Sequence, residues 1–170
     1  MLEIINNLNP FFEDNYIRIG VREYARILNI SPPSASKVLK NLEKEDILKS
    51  EEEKRYLYFF ANRENNLFIA IQRVYYLNRI KETGLLDHLE KVLISPTIIL
   101  FGSLAKAEAK KDSDIDIAIF TKSEKKPDLT DFEKVLKRNI QIFCFNSRED
   151  VKNKMLLNNI LNGIIISGSW

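Results

Sequence analysis

The chain has 170 residues, 45% of them hydrophobic and 29% charged, with a formal net charge of +2, a globular composition with room for one large or two small domains. No apolar run reaches the ~18 residues that span a bilayer, and the first residues lack the basic start and apolar core of a signal peptide, so a cytoplasmic protein without membrane contact is expected. A single cysteine, Cys144, and a single histidine, His88, exclude a disulfide framework, a Cys/His metal cluster and catalysis by a histidine pair.

A leading helix is predicted over Met1 to Phe12. From Val21 the text reads VREYARILNISPPSASKVLKNLEKEDILKS. Ala25, Ile27 and Leu28 form one apolar face, Ile30 lies in a turn, and Val38, Leu39 and Leu42 repeat at helical spacing. Ser31 before Pro32 marks a helix start, because its hydroxyl can cap free amides and proline has no amide to satisfy. Ile47 and Leu48, a charged turn from Glu51 to Arg55, and the strand-like YLYFF then complete the order helix, turn, helix, hairpin. Over residues 1–62 this order resembles the winged helix-turn-helix domains of prokaryotic transcriptional regulators. The resemblance implies that the helix from about Pro33 to Lys44 enters a DNA major groove. Ser34, Ser36, Lys37, Lys40 and Asn41, off its apolar face, would then reach phosphates or base edges. A homodimer would be implied by a palindromic site. Charge keeps a second reading open: Met1 to Ala61 holds nine Lys and Arg against ten Asp and Glu. The EEEKR turn also places carboxylates where a phosphate backbone would run, so this part can equally bind protein or dimerise.

Residues 63–83 form a connector without a Pro/Gly-rich linker. Leu67, Ala70, Ile71, Val74, Leu77 and Ile80 recur at three and four, predicting an amphipathic helix that stops at Thr83 and Gly84, followed by a second helix to about Leu93. Phe68, Tyr75 and Tyr76 form an aromatic stripe, read as core or dimer interface in preference to nucleic-acid stacking.

The apolar run Thr97 to Phe101 fits a strand buried on both faces. Gly102 and Ser103 break it, and Leu104 to Ala109 can form one or two helical turns. A strand that opens onto small residues and a helix start offers amides and a hydroxyl to phosphate oxygens. In the next strand Asp114 and Asp116 share one face while Ile115, Ile117 and Ile119 take the other, the two carboxylates standing about 7 Å apart along the strand. Magnesium suits such a pair, since it is commonly held by one or two carboxylates plus substrate phosphates; two solvated aspartates at a strand end are the alternative. Gly102-Ser103, ten residues, then Asp114-Ile115-Asp116 resembles the minimal nucleotidyltransferases of the DNA polymerase beta-like superfamily, over residues 84–170. What the resemblance implies is a pair of metal ligands in Asp114 and Asp116, phosphate contacts from Gly102 and Ser103 with Lys106 as a further clamp, and transfer of AMP from magnesium-ATP to a hydroxyl. Two departures stand out. Ala107 replaces a glycine usual after the basic residue, and NIQIFCF places Gln141 where the family often supplies a third carboxylate. Cys144 in that run is read as a buried strand residue. Ser147 with Asp150 suggests a helix start, the helix through Met155 and Leu161 leads to a last strand in GIIIS, and Asn158 and Asn159 read as surface.

The expected fold is α+β: an N-terminal winged helix-turn-helix, connecting helices, and a nucleotidyltransferase-type mixed sheet with flanking helices. Three functional readings remain. One is a DNA-associated enzyme that transfers AMP to a hydroxyl; related stand-alone nucleotidyltransferases act as antitoxins, so the resemblance implies a HEPN-type protein partner. Another is a transcriptional regulator with a catalytically degraded nucleotide-binding domain. The last is a protein-interaction module.

Overall fold

The computed structural model describes residues 2–169. The chain divides into two compact units, Met1–Gln72 with Ala107–Lys111, and Arg73–Lys106 with Asp112–Trp170. No helix of the described residues is long and apolar enough to cross a membrane.

The first unit runs α1 (Leu2–Glu13), β1 (Ile19–Gly20), α2 (Val21–Leu28), α3 (Pro32–Lys44), β2 (Leu48–Glu53) and β3 (Tyr56–Ala61). Local chemistry accounts for these boundaries. Asn29, in the left-handed region with φ 53°, ends α2, as the short polar side chains of Asn and Asp tolerate. Ser31 then caps α3, accepting the Ser34 N–H at 3.3 Å. The sheet order is β1-β3-β2, all antiparallel. Leu48, Phe59 and Ala61 alternate into a core that also holds Leu8, Phe11, Phe12, Tyr24 and Leu39. Lys54 and Arg55 join the two longer strands with φ of 49° and 69°. Two positive φ values define the type I′ turn that matches strand twist, although Asn-Gly is its easier sequence.

Helix α4 (Asn66–Glu82) follows. Its buried positions are Phe68, Gln72, Tyr75, Tyr76 and Ile80, while Leu67 and Val74 are 52% and 43% exposed. Of the aliphatic face expected from spacing, Ile80 is buried, Ile71 and Leu77 are half-buried, and Leu67, Ala70 and Val74 are exposed. The aromatic stripe is core, because each ring removes more apolar area from water than Leu or Val.

The second unit continues with α5 (Leu85–Val92), β4 (Thr97–Phe101), α6 (Ser103–Lys106), β5 (Ile115–Phe120), α7 (Thr130–Leu136), β6 (Ile140–Phe145), a short 3-10 turn at Arg148–Asp150, α8 (Lys154–Leu161) and β7 (Ile164–Ser167). The sheet order is β6-β5-β4-β7, with β5 and β6 parallel and the other pairs antiparallel, so the sheet is mixed as expected. Every residue of β4 is buried. On one face, Ile99, Phe101, Ala118 and Phe120 pack with Val151 and Ile160 under Phe143, Phe145, Leu156 and Leu157. Ser147 and Asp150 do form a capping box, but it opens the 3-10 turn, and α8 has its own cap in Asn153. Three expectations are corrected. Cys144 is exposed, because β6 is an edge strand. Helix α6 ends at Lys106, three residues early, because Ala107 turns into the left-handed region with φ 57°. Asn159 is half-buried instead of on the surface. The terminal Trp170 lies outside the described residues.

Within the first unit, Asn15 is 1% exposed and satisfies buried groups on three segments. Its Nδ2 donates to the Phe11 carbonyl at 2.7 Å and to Gln72 Oε1 at 2.6 Å. Its Oδ1 accepts the Ala109 N–H at 2.6 Å, and its own N–H donates to the Ala109 carbonyl at 2.8 Å. Removing this side chain strands several buried polar groups, each costing ~1–3 kcal/mol. Asn15→Ala is therefore expected to lower unfolding free energy by about 3 kcal/mol, measured by urea denaturation; a change under about 0.5 kcal/mol would show the network to be dispensable.

Candidate functional site

The strand register builds the site. Phe101, the last residue of β4, pairs with Asp116 of β5, so the chain leaves the sheet directly beside the Asp116 carboxylate. Gly102 makes that turn with φ +75°, and a Cβ there would stand 2.1 Å from Asp116 Oδ2. Glycine is required twice, by conformation and by space. Ser103, half-buried, opens the one-turn helix α6. The two sequence features, Gly-Ser and Asp-Ile-Asp, are thereby brought together.

Asp114 immediately precedes β5 and shares a face with Asp116. Its Oδ2 accepts from Gln141 Nε2 at 2.5 Å and its Oδ1 from Asn139 Nδ2 at 3.2 Å. The parallel pairing places Gln141 opposite Asp116. Position 141 thus stands where a third acid would complete a triad, and it holds a neutral amide. Among the described residues no group of three His, Cys, Asp or Glu could hold a metal.

Electrostatics mark the two aspartates apart from an ordinary surface pair. Burial raises the Asp116 pKa above the usual carboxylate value, and the neighbouring charge of Asp114 adds to it. A divalent cation relieves both penalties, since it replaces lost hydration and neutralises the repulsion. The all-oxygen pair fits magnesium, which needs one or two carboxylates and takes its remaining oxygens from phosphate and water.

Other residues position this core, and short patterns along the chain barely mark them. Lys106 Nζ donates to Asn159 Oδ1 at 2.6 Å, so α8 holds the expected phosphate clamp. Arg73 Nε donates to the Ala105 carbonyl at 2.8 Å, satisfying the C-terminal end of α6. Arg138, 7% exposed, donates to the Ser113 carbonyl at 2.7 Å and so fixes the backbone one residue before Asp114. Only the RN pair just before β6 hinted at the last of these.

The residues expected on DNA lie in the first unit. Ser34, Lys37, Lys40 and Asn41 are exposed on α3 and Ser36 is half-buried. The Ser34 hydroxyl is 2.8 Å from that of Ser31, so it belongs to the helix cap as well as to the surface.

Residues 85–168 match the family model described as "Polymerase beta, Nucleotidyltransferase". The match supports a nucleotidyltransferase domain of the DNA polymerase beta-like superfamily over that segment, and nucleotidyl transfer as the family-level activity. Neither the curated proteins nor the solved structures contain a significant match to the chain.

A carboxyl group whose pKa is raised by folding loses stability as pH rises from the ordinary carboxylate range through the raised value, and at neutral pH its charge is a net cost. Asp116→Asn is therefore expected to raise the Tm of the magnesium-free protein, whereas Gly102→Ala, which drives a Cβ into the same carboxylate, should lower it. Paired melting curves at neutral pH check this. A lower Tm for Asp116→Asn would mean that the carboxylate is not held under electrostatic penalty.

Proposed function

We propose that the second unit transfers a nucleoside monophosphate, AMP from magnesium-ATP, to a hydroxyl acceptor. The observation that carries this reading is the packing of Gly102 against Asp116, which joins a phosphate-type turn to a cation-type carboxylate pair. Asp114 and Asp116 would hold magnesium, with Asp114 oriented by Asn139 and Gln141. Gly102 and Ser103 would contact the triphosphate through backbone amides and the hydroxyl, and Lys106, kept in place by Asn159, would add positive charge. Magnesium, when bound, supplies charge stabilisation to attacking and leaving oxygens. The acceptor oxygen bonds to the α-phosphorus, the bond from that phosphorus to its bridge oxygen breaks, and pyrophosphate departs with the electron pair. Gln141 cannot take the acceptor's proton, which passes to water.

A protein hydroxyl, such as a tyrosine on a HEPN-type partner, belongs to the acceptor class of this reading. The alternative, a regulator whose transferase unit only binds nucleotide, is favoured by Gln141 alone. Calorimetric titration of ATP with and without magnesium tests the site. Binding should require magnesium and weaken about tenfold or more in Asp114→Asn, and Gln141→Glu should increase transfer to an acceptor. Equal ATP binding by wild type and Asp114→Asn would overturn the metal assignment.

For the first unit we propose a DNA-binding winged helix working as a homodimer. Its support is the order of α2, α3 and the β2–β3 hairpin, with Lys37, Lys40 and Asn41 exposed on α3. Replacing Lys37 and Lys40 together by Ala should weaken duplex binding at every sequence and lower the slope of log affinity against log salt by about 2. An unchanged slope would move the phosphate contacts elsewhere.

A further inference from the structure

A cavity of about 280 Å³ opens in the first unit beside the paired residues Lys49 and Phe60 of the hairpin, with Tyr16, Arg18, Asn62 and Arg63 also in its wall. Its positive charges are not equivalent. Arg18 is committed to Glu51 and Glu53 at 3.0 and 3.2 Å. The side chains of Lys49 and Arg63 are exposed and make no ion pair or hydrogen bond among the described residues. Glu64 lines the same cavity and pairs with neither.

Arg63 is nevertheless held in place. Its guanidinium carbon lies 4.1 Å from the centroid of the Tyr16 ring, and such a stack orients the planar fork while using none of its N–H donors. The Lys110 ammonium, 5.6 Å from the same ring, adds to the local positive potential. Asn62 anchors the wall of the cavity: it is 5% exposed and its Nδ2 donates to the Asp46 carbonyl at 2.8 Å.

The cavity, at about 280 Å³, lies at the lower edge of the ~300–1,000 Å³ usual for small-molecule pockets and readily admits a phosphate group. We propose that it is an anion site that takes a phosphate group between Arg63 and Lys49, leaving the remainder of the phosphate-bearing molecule outside. The phosphate is presented by a free phosphomonoester or by a nucleic-acid backbone. The site uses none of the α3 residues and none of the residues around Asp114; with a free phosphomonoester it stands apart from both functions proposed above, and with a nucleic-acid backbone it rests on the duplex binding proposed for the first unit.

The test follows the Arg63 Nε–H resonance of the full-length chain, without magnesium, during titration with inorganic phosphate, glycerol phosphate or a short DNA duplex, against chloride at matched ionic strength. Saturable shifts are expected that chloride does not reproduce, and affinity, followed in wild type and variants alike through the Asn62 and Glu64 backbone amide resonances, should fall about tenfold in Arg63→Ala and in Lys49→Ala. Both residues are exposed, so the melting curve of Lys49→Ala should match wild type and that of Arg63→Ala should shift only by the loss of the Tyr16 stack. Shifts with the small phosphates identify a free phosphomonoester as the source. Shifts with the duplex alone identify a nucleic-acid backbone, and the double variant should then lower the salt slope by about 2. An Arg63 resonance that no probe moves, or alanine variants that bind every probe as tightly as wild type, would overturn the proposal.

Discussion

The second unit depends on a close approach: the backbone of Gly102 occupies the space beside the Asp116 carboxylate, where any Cβ would lie 2.1 Å from Oδ2. Antiparallel pairing of β4 and β5 imposes this meeting by setting Phe101 opposite Asp116. No adjustable loop intervenes. Beyond the aspartates the same strand is buried on both sides, with Ile117 and Ile119 on one face and Ala118 and Phe120 on the other. A strand clamped in this way cannot slip by one residue without exchanging its faces. The carboxylates therefore stand where core packing ends, on a scaffold that fixes their positions.

That position carries an electrostatic cost, visible in the raised pKa of Asp116. The chain moderates it by giving Asp114 two amide donors, Asn139 and Gln141, which hold the carboxylate without adding charge. An acid at position 141 would bring a third negative group beside the first two. It would bind cations more strongly and make the ion-free protein less stable. Gln141 resolves this conflict toward stability.

How much of this was legible depended on whether the information was local. The Gly-Ser turn and Asp-Ile-Asp strand could be read because small residues, alternation and spacing are all properties of short segments. The cap at Ser31 and the order of helices and hairpin were legible for the same reason. The packing face of α4 was not, since Leu67, Ala70 and Val74 have helical spacing just as Phe68, Gln72 and Tyr75 do, and periodicity cannot choose between them. Cys144 required knowing that β6 lies at the sheet edge. Asn15, Arg138 and Asn159 act through partners distant in sequence, so their polar character alone could not separate a buried clamp from a solvated side chain. The cavity beside Lys49 brings together Tyr16 and Arg63 across most of the first unit's length, and no short pattern encodes it.

Ala107 shows how a departure from pattern can be tolerated. An L-residue in the left-handed region costs ~1–2 kcal/mol, and glycine would avoid that cost. The methyl group of Ala107 is fully buried, however, and burial of one such group gains ~0.8 kcal/mol. The two terms largely cancel, so the turn forms with alanine and ends α6 after Lys106. The chain then contributes Ala107–Lys111 to the first unit, where Asn15 grips both backbone polar groups of Ala109, before it returns to Asp114. Half of the ten-residue interval between Ser103 and Asp114 is therefore structural material of the other unit.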